Sequence, residues 1–158
     1  MAIKVTLAKA HQAQLEDAEI SKELCSVEEE VNKVELPFQE NTINFVFIKG
    51  VYLHSEKKMI TACLFVNKIG KPIPEFHGVL RLCFKSRKAQ IAKTTVDFDE
   101  PFMGTLNPDE ALLVHFGIPV KGLSDDENFE ISDISGNLLR TFSLLPFCLN
   151  FTTCFVIK

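Results

Sequence analysis

From Asn41 onward, apolar and polar residues alternate with a period close to two, and this pattern constrains the fold more than any other feature of the chain. Successive side chains of a strand point to opposite faces, so each such run sets an apolar row against a core. Ile43, Phe45 and Phe47 form the first row. Gly50 marks a bulge or kink before Val51, Tyr52 and Leu53. Residues 59–66 are nearly all apolar, as in a strand buried on both faces. In the run 79–84, Leu80, Leu82 and Phe84 share one face and Arg81 lies on the other. A further strand ends at Phe98, and another covers 111–116. Strands then start at Phe129 and at Leu138, with Ser135, Gly136 and Asn137 read as a turn between them. Residues 104–109 and 117–127 read as loops, the second with a solvated acidic run at Asp125, Asp126 and Glu127. The count is about seven short strands with no alternating helices, which predicts a mainly β fold. The expected form is an antiparallel immunoglobulin-like β-sandwich.

Residues 1–35 have a different texture. Leu15, Ala18, Leu24, Val27 and Val31 recur at helical spacing, and Ser26 with Glu29 fits a capping box. The chain therefore divides into an N-terminal helical arm (1–35), a β-sandwich domain (36–145) and an apolar tail (146–158). The stretch from Thr141 to Ile157 has no charged residue over 17 positions. A membrane span needs about 20, and Pro146, Asn150, Thr152 and Thr153 interrupt this one. A buried strand or packed tail is expected, with a weak membrane anchor as the alternative. Cys148 and Cys154 count there as small apolar residues.

A chain of 158 residues makes one compact domain with a sufficient core. Its net charge of −4 offers no global footprint for nucleic acid. The first ten residues lack a secretory apolar region, since Lys4 and Lys9 divide them. Five cysteines, an odd number with no CxxC pair, fit free thiols in a reducing cytosol.

Catalytic and cofactor motifs are missing: there is no P-loop, GxGxxG, GxSxG or HExxH. His11, His54, His77 and His115 fall in different elements, and the six-residue spacing of His77 and Cys83 matches no zinc pattern. Asp97, Asp99, Glu100, Asp109 and Glu110 have the chemistry of a hard-cation site, but a solvated loop accounts for them. No catalytic residue, metal or cofactor is expected.

Charge is segregated along the chain. Residues 1–40 carry four basic and nine acidic side chains, 41–98 ten and three, and 99–158 three and nine. The positive block centres on Arg81, Lys85, Arg87, Lys88 and Lys93. Such a hairpin protects a sheet edge or docks an acidic partner, and these five are the candidate partner-binding residues.

An ordered set of landmarks runs from Val34 to Pro119. It opens with Leu36-Pro37-Phe38 and Glu40-Asn41-Thr42-Ile43, then Gly50-Val51-Tyr52. Asn67 follows a strand, Lys71-Pro72-Ile73 follows a turn, and Val79, Leu80 and Leu82 come next. Ala92 precedes residues 95–98, and Gly104-Thr105-Leu106-Asn107-Pro108 leads into Ala111 and a strand ending at Phe116. In this order the segment resembles the SLAP domain, a module of S-layer assembly proteins linked to the accessory Sec system of Bacillus-type bacteria. Two places depart from that pattern: Val66 stands where an Arg is usual, and residues 111–115 replace an aromatic segment. The resemblance implies a cytoplasmic, non-enzymatic accessory factor that assists S-layer protein export or assembly. Its partner would be a protein, either the export ATPase or an S-layer precursor. The other readings are a ligand- or carbohydrate-binding sandwich and a self-associating structural subunit. The first of these needs exposed aromatics, and the chain has one Tyr and no Trp.

Overall fold

The architecture comes from a computed structural model, which describes residues 2–141 and 152–155. The elements are β1 (Lys4–Leu7), a 3-10 helix (Lys9–Glu16), α1 (Ala18–Lys33), β2 (Ile43–Leu53), β3 (Lys58–Asn67), β4 (Phe76–Phe84) and β5 (Gln90–Ile91). They continue with β6 (Thr94–Phe98), α2 (Glu100–Met103), β7 (Glu110–Lys121), β8 (Glu127–Glu130), β9 (Ile134–Thr141) and β10 (Thr152–Phe155). Strands hold 47% of the residues and helices 20%, so the protein is mainly β, as its alternation predicts.

The strands form one continuous sheet in the order β10-β9-β4-β5-β7-β3-β2-β8, with β6 beside β4 and β1 beside β7. Pairing is antiparallel except for β1 with β7. Short β5 joins the two halves: Gln90 pairs with Cys83 on β4 and with Lys121 on β7.

The sheet folds over so that the inner faces of its halves share one core. Phe65 of β3 lies at its centre, with ring centroids 5.5 Å from Phe45, 5.1 Å from Phe76 and 5.5 Å from Phe98. Edge-on aromatic pairs of this kind add about 0.5–1.5 kcal/mol each beyond the area they bury. The outer faces of the halves therefore point apart. On the β2/β3/β7 half, Val46, Ile48, Leu64, Val66 and Leu113 form a second apolar cluster with Val27 and Val31 of α1.

The N-terminal segment is only partly helical. Val5 and Leu7 alternate with Lys4 and Thr6, and this short period-two run pairs with β7. The Lys4 N–H donates to the Asp109 carbonyl at 3.0 Å. On its other edge, the N–H groups of Ile3 and Val5 donate to the side chains of Asn32 and Glu28, both at 2.8 Å. The Asn32 amide donates back to the Ile3 carbonyl. Two residues of α1 thus occupy the edge that a further strand would take. The helix runs unbroken through Ser26, so the capping box is not used. Asp17 caps it instead, accepting from the Glu19 N–H at 2.8 Å.

Other expectations shift for local reasons. The bulge lies at Ile48, where the β2–β3 register slips between Phe47 and Lys49. Gly50 is glycine because a Cβ there would sit 2.7 Å from the Met59 sulfur. β7 continues through 117–121, although the composition of this stretch predicts a loop. Pro119 lacks an N–H, yet its carbonyl accepts from the Ala92 N–H at 2.9 Å. Ser135, Gly136 and Asn137 do not form a turn but lie within β9, paired with Cys83, Leu82 and Arg81. A Cβ on Gly136 would stand 2.2 Å from the Phe45 ring, so the glycine admits that ring.

Several of the landmark residues hold one corner together. The buried Asn67 amide donates to the carbonyls of Lys71 and Leu106, both at 2.9 Å, and its oxygen accepts from the Ile69 N–H. Ile73 and Leu106 bridge beside it. Of the apolar tail, residues 152–155 add β10 to β9, while 142–151, with Pro146 and Cys148, lie outside the described residues. Among the described residues, no helix is long and apolar enough to cross a membrane.

Candidate functional site

Among the described residues, no helix covers the outer face of the β4/β6/β9 half. Leu80, Leu82 and Phe84 fill the core, so alternation turns Arg81 and Cys83 outward, both exposed. Arg81 stands opposite Asn137 of β9. Lys85 follows β4 directly and extends its ladder by donating from its N–H to the Asp133 carbonyl. Lys93 precedes Thr94, the partner of Leu80 on β6. Lys88 lies in the exposed connection to β5.

Arg87 has a different place. Its guanidinium forks onto the Glu127 carboxylate and lies 5.3 Å from the centre of the Phe129 ring. This bidentate pair ties the β4–β5 connection to β8, so its charge is met within the molecule. The acidic run is correspondingly not simply solvated. Glu127 holds Arg87, and Asp126 accepts from the His54 N–H at 2.7 Å. Lys9, Lys33, Lys49 and Lys68 also have carboxylate partners. Arg81, Lys88 and Lys93 have no ion pair within 4.0 Å among the described residues. From Arg81 to Lys93 the chain carries five basic side chains and no acidic one.

At the far end of this face, His77 is hydrogen-bonded through Nδ1 to Asp97, and its Nε2 lies 3.6 Å from Glu75. The positive charge therefore belongs to the end of the face near the β4–β5 connection.

On the opposite surface, α1 and its flanks are acidic: residues 16–35 hold eight carboxylates and two lysines. Glu16, Glu19 and Glu30 are exposed. Glu23 instead turns toward the sheet, 3.1 Å from the Lys49 ammonium and 3.3 Å from His115 Nε2. Partial burial alone would raise its pKa, and this is the largest single influence. Hydrogen bonds from Lys49 and His115, with their positive charge, outweigh it and hold the carboxyl below its usual 4.5. A groove of about 570 Å³ opens here, lined by Ile20, Glu23, Val27, Ile48 and Lys49 among others. The sequence reading missed this cluster, because Glu23 and His115 are 92 positions apart and no local pattern joins them.

The thiols divide by burial. Cys25 and Cys83 are exposed, whereas full burial pushes the Cys63 thiol up to about 12. No group of three or more His, Cys, Asp or Glu among the described residues is arranged to hold a metal ion. The chain was compared with protein-family models, with curated proteins and with solved structures, and none of the three comparisons finds a match.

Proposed function

We propose that this protein is a non-enzymatic protein-interaction module whose basic face docks an acidic segment of a partner. One observation carries the reading. Arg81, Lys88 and Lys93 are exposed and have no ion pair among the described residues, whereas Arg87 beside them is matched by Glu127. Like charges close together along the chain repel one another, and an acidic ligand relieves that repulsion. Lys85 extends the same row, and Arg87 serves the module by fixing the connection that carries Lys88.

The proposal includes the finer fold class, an immunoglobulin-like sandwich of β strands, supported by two sheet halves facing across one aromatic core. It also includes a narrower role in the cytoplasm, assisting S-layer protein export with the export ATPase or an S-layer precursor as partner. The support for that role is the ordered landmark pattern alone. Gly50, Asn67, Ile73 and Leu106 within it maintain the fold, so they speak to architecture more than to partner choice.

The test is binding of a fluorescent glutamate-rich peptide to the wild type and to the triple variant Arg81→Glu/Lys88→Glu/Lys93→Glu. Exposed charge pairs contribute about 0.2–1 kcal/mol each. Replacing three attractions by three repulsions therefore weakens binding by about 3 kcal/mol, roughly 100-fold. Equal affinity for both proteins refutes the docking face. The export role is tested with purified S-layer precursor and purified export ATPase, and failure to bind either one removes it.

A further inference from the structure

The basic face and the acidic helix lie on opposite sides of the molecule. Arg81 points away from the shared core on the β4 half. Helix α1 covers the outer face of the β2/β3/β7 half, which also points away from that core. Arg81 lies on the outer side of one half, with Lys88 and Lys93 exposed close to it in the chain, and Glu16, Glu19 and Glu30 are exposed on and beside α1 of the other. Neither set can neutralise the other within one molecule.

We infer that the partner of the basic face is a second copy of this chain, contributing its α1, so that copies associate head to tail. This inference rests on the docking face proposed above and assigns its occupant. Charge complementarity is the argument: residues 81–93 hold five basic side chains and no acidic one, and residues 16–35 have net charge −6. Local fields decide such contacts, since a Debye length of about 10 Å at 0.1 M salt screens the distant charges that make the whole chain acidic. The two surfaces point apart, so a pair of molecules cannot satisfy both contacts reciprocally. Each association leaves one basic face and one helix open, the condition for a heterologous chain of subunits. The outer edge of β1 does not take part, because Asn32 and Glu28 already occupy it.

The experiment is sedimentation velocity of the full chain across a concentration series, in about 50 mM and about 500 mM salt. The wild type is expected to gain mass with concentration at low salt and to be monomeric at high salt. Two charge-swap variants follow, with folding checked by circular dichroism. One carries Arg81→Glu, Lys88→Glu and Lys93→Glu; the other carries Glu16→Lys, Glu19→Lys and Glu30→Lys. Each alone is expected to stay monomeric at low salt, and an equimolar mixture is expected to regain assembly. If a swap misfolds, the matching neutral variants, with Gln at the same positions, take its place and are expected to lose assembly. A wild type monomeric at low salt overturns the inference, as does assembly that survives either swap alone. A monomeric wild type that still binds the glutamate-rich peptide leaves the docking face standing and removes only self-association. Loss of both removes both.

Discussion

Replacing Gly136 with alanine is expected to destabilise the protein by about 2 kcal/mol or more, the middle of the range for overpacked cores. The added Cβ would lie 2.2 Å and 2.4 Å from two carbons of the Phe45 ring. Carbon atoms pack at about 3.5–4.0 Å, so the ring or the strand must give by more than an ångström. Phe45 is 1% exposed, and Phe65 is packed against it at 5.5 Å, so the ring has little room to retreat. With a urea slope of about 2 kcal/mol/M, the unfolding midpoint falls by about 1 M. The double variant Phe45→Ala/Gly136→Ala separates this clash from a general effect of glycine. Phe45→Ala alone costs about 3–5 kcal/mol through the cavity it leaves. With the ring gone, the second change is expected to cost less than about 0.5 kcal/mol more, a coupling well outside additivity. A midpoint for Gly136→Ala within 0.2 M of wild type refutes the reasoning, and so do strictly additive losses in the double variant.

Asn67→Ala leaves the Lys71 and Leu106 carbonyls and the Ile69 N–H without their shared partner. It is expected to cost about 3 kcal/mol by urea denaturation, in line with the penalty for orphaned buried groups. In native protein at pH 8, Cys25 and Cys83 are expected to react with a thiol reagent, while Cys63 reacts only after unfolding; peptide mapping by mass spectrometry identifies the sites. Glu23 has a folded pKa below its ordinary 4.5, so its stabilising contribution is complete above that value and is lost as pH falls through the lower folded one. The stability gap between wild type and Glu23→Gln is thus expected to narrow below pH 4.5, whereas a constant gap removes the ion pairs from the account.

The fold was legible where one physical signal dominated. Alternation in 43–47 and 79–84 placed Phe45 and Leu80 in the core, the apolar run 59–66 placed Phe65 there, and each is buried. Where long-range contacts decide, local pattern misled. Ser135, Gly136 and Asn137 have the composition of a turn, but Gly136 is there for a ring 91 positions earlier in the chain. β1 is too short for its alternation to stand out, and its partner lies beyond residue 109. In β7, Gly117 and Pro119 resemble a loop because their strand pairing depends on neighbours from β3 and β5. The basic residues were visible as a cluster, whereas the internal engagement of Arg87 depended on Glu127, 40 positions away. The Glu23, Lys49 and His115 cluster had no sequence signature, since three separate elements supply it.

The parallel pairing of β1 with β7 has a consequence for synthesis on the ribosome. Lys4 is aligned with Glu110, so β1 has no strand partner until over a hundred further residues have been made. At about 5–20 residues per second, that interval lasts roughly 5–20 s. During it, Ile3, Val5 and Leu7 are apolar side chains in search of a cover, and α1, close by in sequence, supplies Asn32 and Glu28 for their backbone. These contacts span only 29 and 23 positions, so the residues that hold the strand's outer edge are made long before its sheet partner.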